Sequence, residues 1–269
     1  MFKYFLQALT VTRRRAAIGL IGLAVCAYTP PALAQADETP QTEQSQKAQG
    51  QTEQDKSPSP IEHVFSESPD DHVLGADDAP NTLIAYASVT CSHCGSWFSE
   101  QWPAVKSELV ETGRLRFIFR EFPTPPANMA MAGFFIANCA AQKDGQSSSD
   151  HDAFFKAIEY QMENQDMVFQ AIKDGTVQET YANIAKKFGM SDFSALNQCF
   201  SNEDHYRQID RSVARARAGK VTGTPFFIVN GEPYKGGQTS EDFIKIFENL
   251  EKKGVSTFDK SKLLKRQKP

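Results

Sequence analysis

The feature that most restricts how this chain can fold is the junction between Thr82-Leu83-Ile84-Ala85-Tyr86-Ala87-Ser88 and Cys91-Ser92-His93-Cys94. The first segment is a near-continuous apolar run of strand length, the pattern of a strand covered on both faces. Beyond it Cys94, Trp97, Phe98, Trp102, Val105 and Leu109 recur every three to four positions, one face of a helix that begins at the CxxC. Pro103 sits inside that pattern and is expected to kink the helix. Leu115-Arg116-Phe117-Ile118-Phe119-Arg120-Glu121-Phe122 then reads as a second strand, ended by Pro123-Thr124-Pro125-Pro126. Strand, helix and strand in so short a span argue for an α/β sheet.

From about 127 to 219 the periodicity is helical, with segments 127–142, 151–163, 166–174, 177–188, 192–200 and 203–218. Gly189 and Gly219 fall at C-terminal caps, and Ser191 at an N-cap. Phe134, Phe135, Phe154, Phe155 and Phe169 lie at helical spacings and are expected in the core rather than on a peptide-binding surface. Phe226-Phe227-Ile228-Val229-Asn230-Gly231-Glu232-Pro233-Tyr234 reads as a hairpin turning at Asn230-Gly231. A last helix starts at Thr239-Ser240-Glu241-Asp242, with Phe243, Ile246, Phe247 and Leu250 on one face. The basic tail beyond 258 is expected to fray. The order describes an α/β domain split by a helical block.

The N-terminus follows other rules. Lys3 and Arg13-Arg14-Arg15 precede the apolar stretch 16–25, which is too short to span a bilayer comfortably, and Ala32-Leu33-Ala34 supplies small residues at a cleavage site. Residues 1–34 therefore read as a signal peptide. The twin-arginine pattern is weak because alanines follow it, and Cys26 is a poor lipid-anchor site because Val25 precedes it. Residues 35–62 are mostly Gln, Glu, Thr, Lys, Ser and Pro, a disordered linker that lacks the apolar surface to offset the entropy of ordering. The domain then divides into a first part (63–124), the helical insert (125–219) and a second part (220–269). At 40% apolar and 11% aromatic residues the chain can bury one sizeable core. Removing the signal leaves 25 basic against 33 acidic residues, so nothing favours nucleic acid or an anionic membrane surface.

A CxxC at a strand–helix junction is chemically pointed. It puts the first sulfur at a helix N-terminus, where free N–H groups and the macrodipole stabilise a thiolate, and the second one turn in, near enough to close a ring. Cys91 is then the exposed nucleophile and Cys94 the buried resolving thiol. His93 is expected to act beside the Cys91 sulfur as a cation or a hydrogen-bond donor. A zinc site would need two more ligands, and His63, His72, His151 and His205 are scattered. No cofactor is called for, since the two thiols carry the electrons. Cleavage of the signal leaves four cysteines, suited to an oxidising compartment; Cys139 and Cys199, both on expected helices, read as a structural disulfide, with free buried thiols and a second redox pair as the alternatives.

Three segments carry a family resemblance: Tyr86 through Cys94, Arg116 through Pro123, and Gly223-Thr224-Pro225-Phe226-Phe227-Ile228-Val229-Asn230-Gly231. Together they resemble the DsbA family of thioredoxin-fold thiol:disulfide oxidoreductases across about 63–252. The resemblance implies a thioredoxin fold with an inserted all-helical domain, a cis peptide bond at Pro225 facing the disulfide, and pairing of the Thr224 backbone with an extended substrate. It implies a periplasmic dithiol oxidase acting on exported proteins with free cysteines and reoxidised by a membrane partner of the DsbB kind; a monomer is expected, because residues 35–60 are too polar and short for the added N-terminal domain through which exported isomerases of the superfamily dimerise. Two positions depart from the pattern. Ser92 stands where such proteins usually carry proline, and Ala85 stands six residues before the first cysteine, where many thioredoxin-fold proteins carry a buried acid that relays protons. Glu121 either substitutes for that acid or is a solvated strand-end charge. The rival readings are a reductase or isomerase using the same cysteines, and a non-catalytic peptide chaperone or Cu(I)-binding protein.

Overall fold

A computed structural model describes residues 63–142 and 151–254 of the chain. The expected signal peptide, the linker and the basic tail beyond 258 lie outside the described residues. The described strands are β1 (His72–Leu74), β2 (Asn81–Ala87), β3 (Leu115–Glu121), β4 (Phe226–Val229) and β5 (Glu232–Pro233). They form one mixed sheet in the order β1-β3-β2-β4-β5, with β2 and β3 parallel and the other pairs antiparallel.

The alternation of β2 explains its unbroken apolar sequence. Leu83, Ala85 and Ala87 join Phe117, Phe119, Phe227 and Val229 on one face, while Ile84 and Tyr86 join Ile118 and Ile228 on the other. Both faces are covered, so every residue of β2 is buried. The first face packs against α1 (Ser92–Glu100) and α9 (Ser240–Lys252) through an aromatic cluster in which Trp97 lies 4.9 Å from Phe227, and Phe227 5.0 Å from Phe243, between ring centroids. The second face meets Ala216 of α8 (Glu203–Ala218) and Val221.

Pro103 acts differently from the expected kink. The helix ends at Glu100, Gln101 turns, and α2 (Trp102–Val105) starts afresh with Pro103 in its first turn, where a missing N–H has no partner to lose. A π-helical turn, Lys106–Val110, completes the crossover to β3.

Between β3 and β4 lie α3 (Ala127–Ala141), α4 (His151–Glu163), α5 (Gln165–Asp174), α6 (Val177–Lys187), α7 (Phe193–Phe200) and α8. Phe134, Phe135, Phe154 and Phe155 are fully buried, whereas Phe169 on α5 is half-buried. Ser191 is not the N-cap of α7; Asp192 is, because its carboxylate accepts the Ala195 N–H at 2.8 Å. Cys139 of α3 and Cys199 of α7 are joined by a disulfide with their Cα atoms 5.8 Å apart. In the terminal hairpin, Asn230 and Gly231 take positive φ angles of 49° and 86°, as a two-residue turn requires. The side chain of Thr239 and that of Asp242 cap α9 reciprocally.

The short strand β1 has no counterpart among the expected elements. It is held by what precedes it: Arg120, fully buried on β3, donates to both carboxylate oxygens of Asp71 at 2.9 and 2.8 Å, to the carbonyls of Val64 and Ser66, and to the Tyr86 hydroxyl. Arg215 of α8 reaches Asp70 at 3.0 Å, so the 64–71 segment is pinned between sheet and helix.

Candidate active site

At the C-terminal end of β2 the chain turns through Ser88–Cys91, closed by the Cys91 N–H donating to the Ser88 carbonyl at 3.1 Å. Cys91 is the N-cap of α1, extended at φ −91° and ψ 115°, and its sulfur accepts the Cys94 N–H at 3.3 Å. From the other side of the sheet's end, the cis Thr224-Pro225 peptide brings a carbonyl within reach, and the Cys91 thiol donates to the Thr224 oxygen at 3.3 Å. Cys91 is half-buried and Cys94 fully buried, and both thiols are free.

The two sulfurs are shifted in opposite directions. The Cys94 S–H donates to the Cys91 sulfur and, together with the Thr224 side chain and the N–H groups of Cys94 and His93, holds the Cys91 thiol down to about 5 against the opposing effect of partial burial. Burial pushes the Cys94 thiol up, and the neighbouring Cys91 sulfur adds to that.

His93 contributes in a way the sequence did not indicate. The hydrogen bond it gives the sulfur comes from its backbone N–H, whereas its ring is exposed and forms one wall of a groove. That groove, of about 440 Å³, runs along the exposed stripe His93, Ser96 and Glu100 of α1 and is closed by Thr224-Pro225 and Gln238-Thr239. Its floor is fixed: Trp97 donates its indole N–H to the Gln238 carbonyl at 2.8 Å, and the Gln101 side-chain oxygen accepts the Ser240 N–H at 2.9 Å.

Ala85 is fully buried on the α1 face of the sheet, paired with Phe119 and Phe227, so no carboxylate occupies that position. Glu121 is not a solvated strand-end charge. It is 2% exposed, accepts from the Asn138 amide at 3.2 Å and lies 3.8 Å from His72 Nε2. No hydrogen bond among the described residues links it to either cysteine. Burial raises the Glu121 carboxyl to about 7 and lowers the His72 imidazole to about 3, so near neutrality this contact is not an ion pair. His72 and His151, far apart in sequence, come together edge to face with ring centroids 6.0 Å apart. Among the described residues no group of three or more His, Cys, Asp and Glu side chains could hold a metal ion.

One residue the sequence gave no reason to single out also reaches this turn. The Gln165 side chain, at the start of α5, donates to the carbonyls of Val89 and Cys91 at 2.9 and 3.0 Å.

The family described as Thioredoxin matches residues 67–249. The chain is 26% identical over 166 residues to the Na(+)/H(+) antiporter NhaA 3 of Salinispora tropica, covering 62% of this chain but only 22% of that protein. It is 26% identical over 163 residues to the probable disulfide bond formation protein D of Bacillus anthracis, covering 59% of this chain and 69% of that one. The likeness to the antiporter concerns about a fifth of that protein, and no described helix of this chain is long and apolar enough to cross a membrane. The crystal structure of Wolbachia pipientis alpha-DsbA1 superposes with a TM-score of 0.59 at 21% identity, covering 70% of this chain and 94% of that one. The chain therefore belongs to the thioredoxin family and has the fold of the DsbA proteins.

Proposed function

We propose that this protein is an exported thiol:disulfide oxidase that donates a Cys91–Cys94 disulfide to proteins with free cysteines. The observation that carries the reading is the asymmetry of the two sulfurs, one held toward the thiolate by N–H groups at the N-terminus of α1 and by the Cys94 thiol, the other buried and held protonated. A client thiolate attacks the Cys91 sulfur of the disulfide. The Cys91–Cys94 bond breaks, Cys94 leaves with the electron pair and takes up a proton, and a mixed disulfide joins Cys91 to the client. A second client thiolate attacks the client's own sulfur, Cys91 leaves as a stable thiolate, and the client, two electrons poorer, keeps the new disulfide. Because Cys94 holds its proton, it competes poorly to reverse the first step, which favours transfer to the client over resolution back onto the enzyme.

Thr224 and Pro225 face the attacked sulfur, and the groove beside them, walled by His93 and Glu100, has room for client residues flanking the cysteine. The resemblance of the N-terminus to a signal peptide supports a periplasmic location. Reoxidation is assigned to a DsbB-like membrane protein that accepts the two electrons, and the working unit to a monomer.

The deciding measurement is the reduction potential of Cys91–Cys94 in defined glutathione mixtures. A value near about −120 mV, that of a strong oxidant, supports the oxidase, and one near about −270 mV makes the protein a reductase. Cys94→Ala should accumulate mixed disulfides through Cys91, whereas Cys91→Ala should accumulate none; full oxidase activity in Cys91→Ala would defeat the mechanism.

A further inference from the structure

The turn that carries Cys91 is not held by the thioredoxin core alone. Val89 is 4% exposed and Gln165 7% exposed, so the Gln165 amide makes its bonds to the Val89 and Cys91 carbonyls away from solvent. Both partners are acceptors, which fixes the amide with its NH2 toward the turn. The Cys91 carbonyl already accepts the Gly95 N–H at 3.0 Å, the first hydrogen bond of α1, and Gln165 occupies its second lone pair. Gly95 is part of the arrangement: a Cβ at this position would stand 2.2 Å from the Gln165 side-chain oxygen, so the residue after the CxxC must be small for the amide to lie where it does. Gln165 opens α5, the helix that follows α4 in the block between β3 and β4.

We propose that Gln165 is a positioning residue for the redox turn, through which the helical block sets how firmly the Cys91 sulfur is held under the N–H groups of α1. The proposal rests on the redox reading of Cys91 and Cys94. One side-chain nitrogen ties the peptide two residues before the cysteine and the peptide of the cysteine itself, and both bonds cross from insert to core, 76 and 74 residues away in sequence. Without them no other hydrogen bond among the described residues reaches the buried Val89 carbonyl, and the turn must shift to find a partner for it. The sulfur then loses alignment with the Cys94 N–H, which it accepts at 3.3 Å in a bond that depends on its angle.

The test uses Gln165→Met, which keeps the length and volume of the side chain and removes its donors. The expected result is a rise of about one unit in the Cys91 thiolate titration, and a shift of about tenfold in the glutathione equilibrium toward the enzyme disulfide. A role confined to packing would lower the melting temperatures of the oxidised and reduced proteins alike and leave both readouts unmoved; that result overturns the proposal. Gly95→Ala serves where Gln165→Met does not fold, since its methyl group displaces the same amide while alanine favours the helix, and it should move both readouts in the same direction. If the wild-type protein itself does not equilibrate with glutathione, the redox reading fails and this proposal with it. If the wild type exchanges normally and neither variant differs from it, only the assignment of Gln165 is wrong.

Discussion

Cys91→Ser should erase one defined part of the pH dependence of the reduced protein's stability. An unperturbed cysteine titrates at about 8.5, whereas Cys91 in the folded protein is held down to about 5 by the Cys94 thiol and the N–H groups around it. The folded value is the lower one, so the stabilisation is fully present above about 8.5, declines as the pH falls, and is gone below about 5. At pH 7 the native thiolate holds a lead of about two pH units, close to 3 kcal/mol before screening. Because Cys91 is only half-buried, solvent reduces this to about 1–2 kcal/mol. In a domain of this size that is a difference on the order of 4 °C in melting temperature.

Since a disulfide carries no such charge, the same energy separates the reduced from the oxidised protein. It corresponds to about 20–40 mV of added oxidising power. The assay is thermal unfolding of the reduced wild type and of Cys91→Ser between about pH 5 and 8.5, with ultraviolet thiolate absorbance followed in parallel. The two melting curves should converge at the acid end and separate toward the alkaline end. Parallel curves across the range would refute the argument, because a side chain that merely packs has no reason to track the titration of a thiol.

Glu121→Gln should stabilise the protein increasingly as the pH rises above about 4.3, with the full gain from about pH 7 upward. The folded carboxyl, raised by burial to about 7, is penalised when ionised; the penalty is absent below about pH 4.3 and grows to about 3 kcal/mol above pH 7. Equal melting shifts at about pH 4 and pH 8 would contradict it. Arg120→Met takes from the buried Asp71 its bidentate arginine, leaving it the Ser68 N–H and Arg215 at 3.5 Å, and should cost about 3 kcal/mol in urea unfolding; a loss under about 1 kcal/mol, the worth of a surface pair, would show that the segment 64–71 is held by something else. Replacing Cys139 and Cys199 together by alanine opens a cross-link spanning 60 residues and should destabilise the chain by about 4 kcal/mol, while glutathione exchange at Cys91–Cys94 stays unchanged.

What could be read from the sequence was local or periodic. The CxxC, the strand before it and the helix after it are coded within a few residues of one another, and the six helices of the insert follow from apolar spacing and caps, so their observed bounds match the expected ones to within one residue. The strand β1 escaped because His72-Val73-Leu74 lies between Asp70-Asp71 and the Gly75 turn, too short for alternation to register. Its pairing with Phe117–Phe119 depends on a buried arginine that a strand pattern reads as solvent-facing. The same limit hid Gln165, since a glutamine at a helix start looks like polar surface and its two acceptors lie some seventy residues upstream.

The departures from the family pattern at Ala85 and Ser92 find no replacement in local sequence, and here the structure changes the chemical argument. With a carboxylate absent beneath Cys94, and Glu121 bonded instead to Asn138, no described acidic side chain is hydrogen-bonded to the buried thiol to take its proton. The donors around Cys91 do not depend on such a group. They are backbone N–H groups at a helix N-terminus, the Thr224 side chain and the Cys94 thiol itself, and each acts on the reactive sulfur without any acid at the position of Ala85. Losing the acid therefore handicaps the step in which Cys94 must ionise and attack, the step a reductase or isomerase needs in every turnover. It leaves intact the step in which Cys91 departs as a thiolate, the one an oxidase needs to release its client. The departure at Ala85 thus weighs toward one direction of exchange, and Ala85→Glu should speed resolution of a Cys91 mixed disulfide by Cys94; an unchanged rate would mean the proton already has another way out.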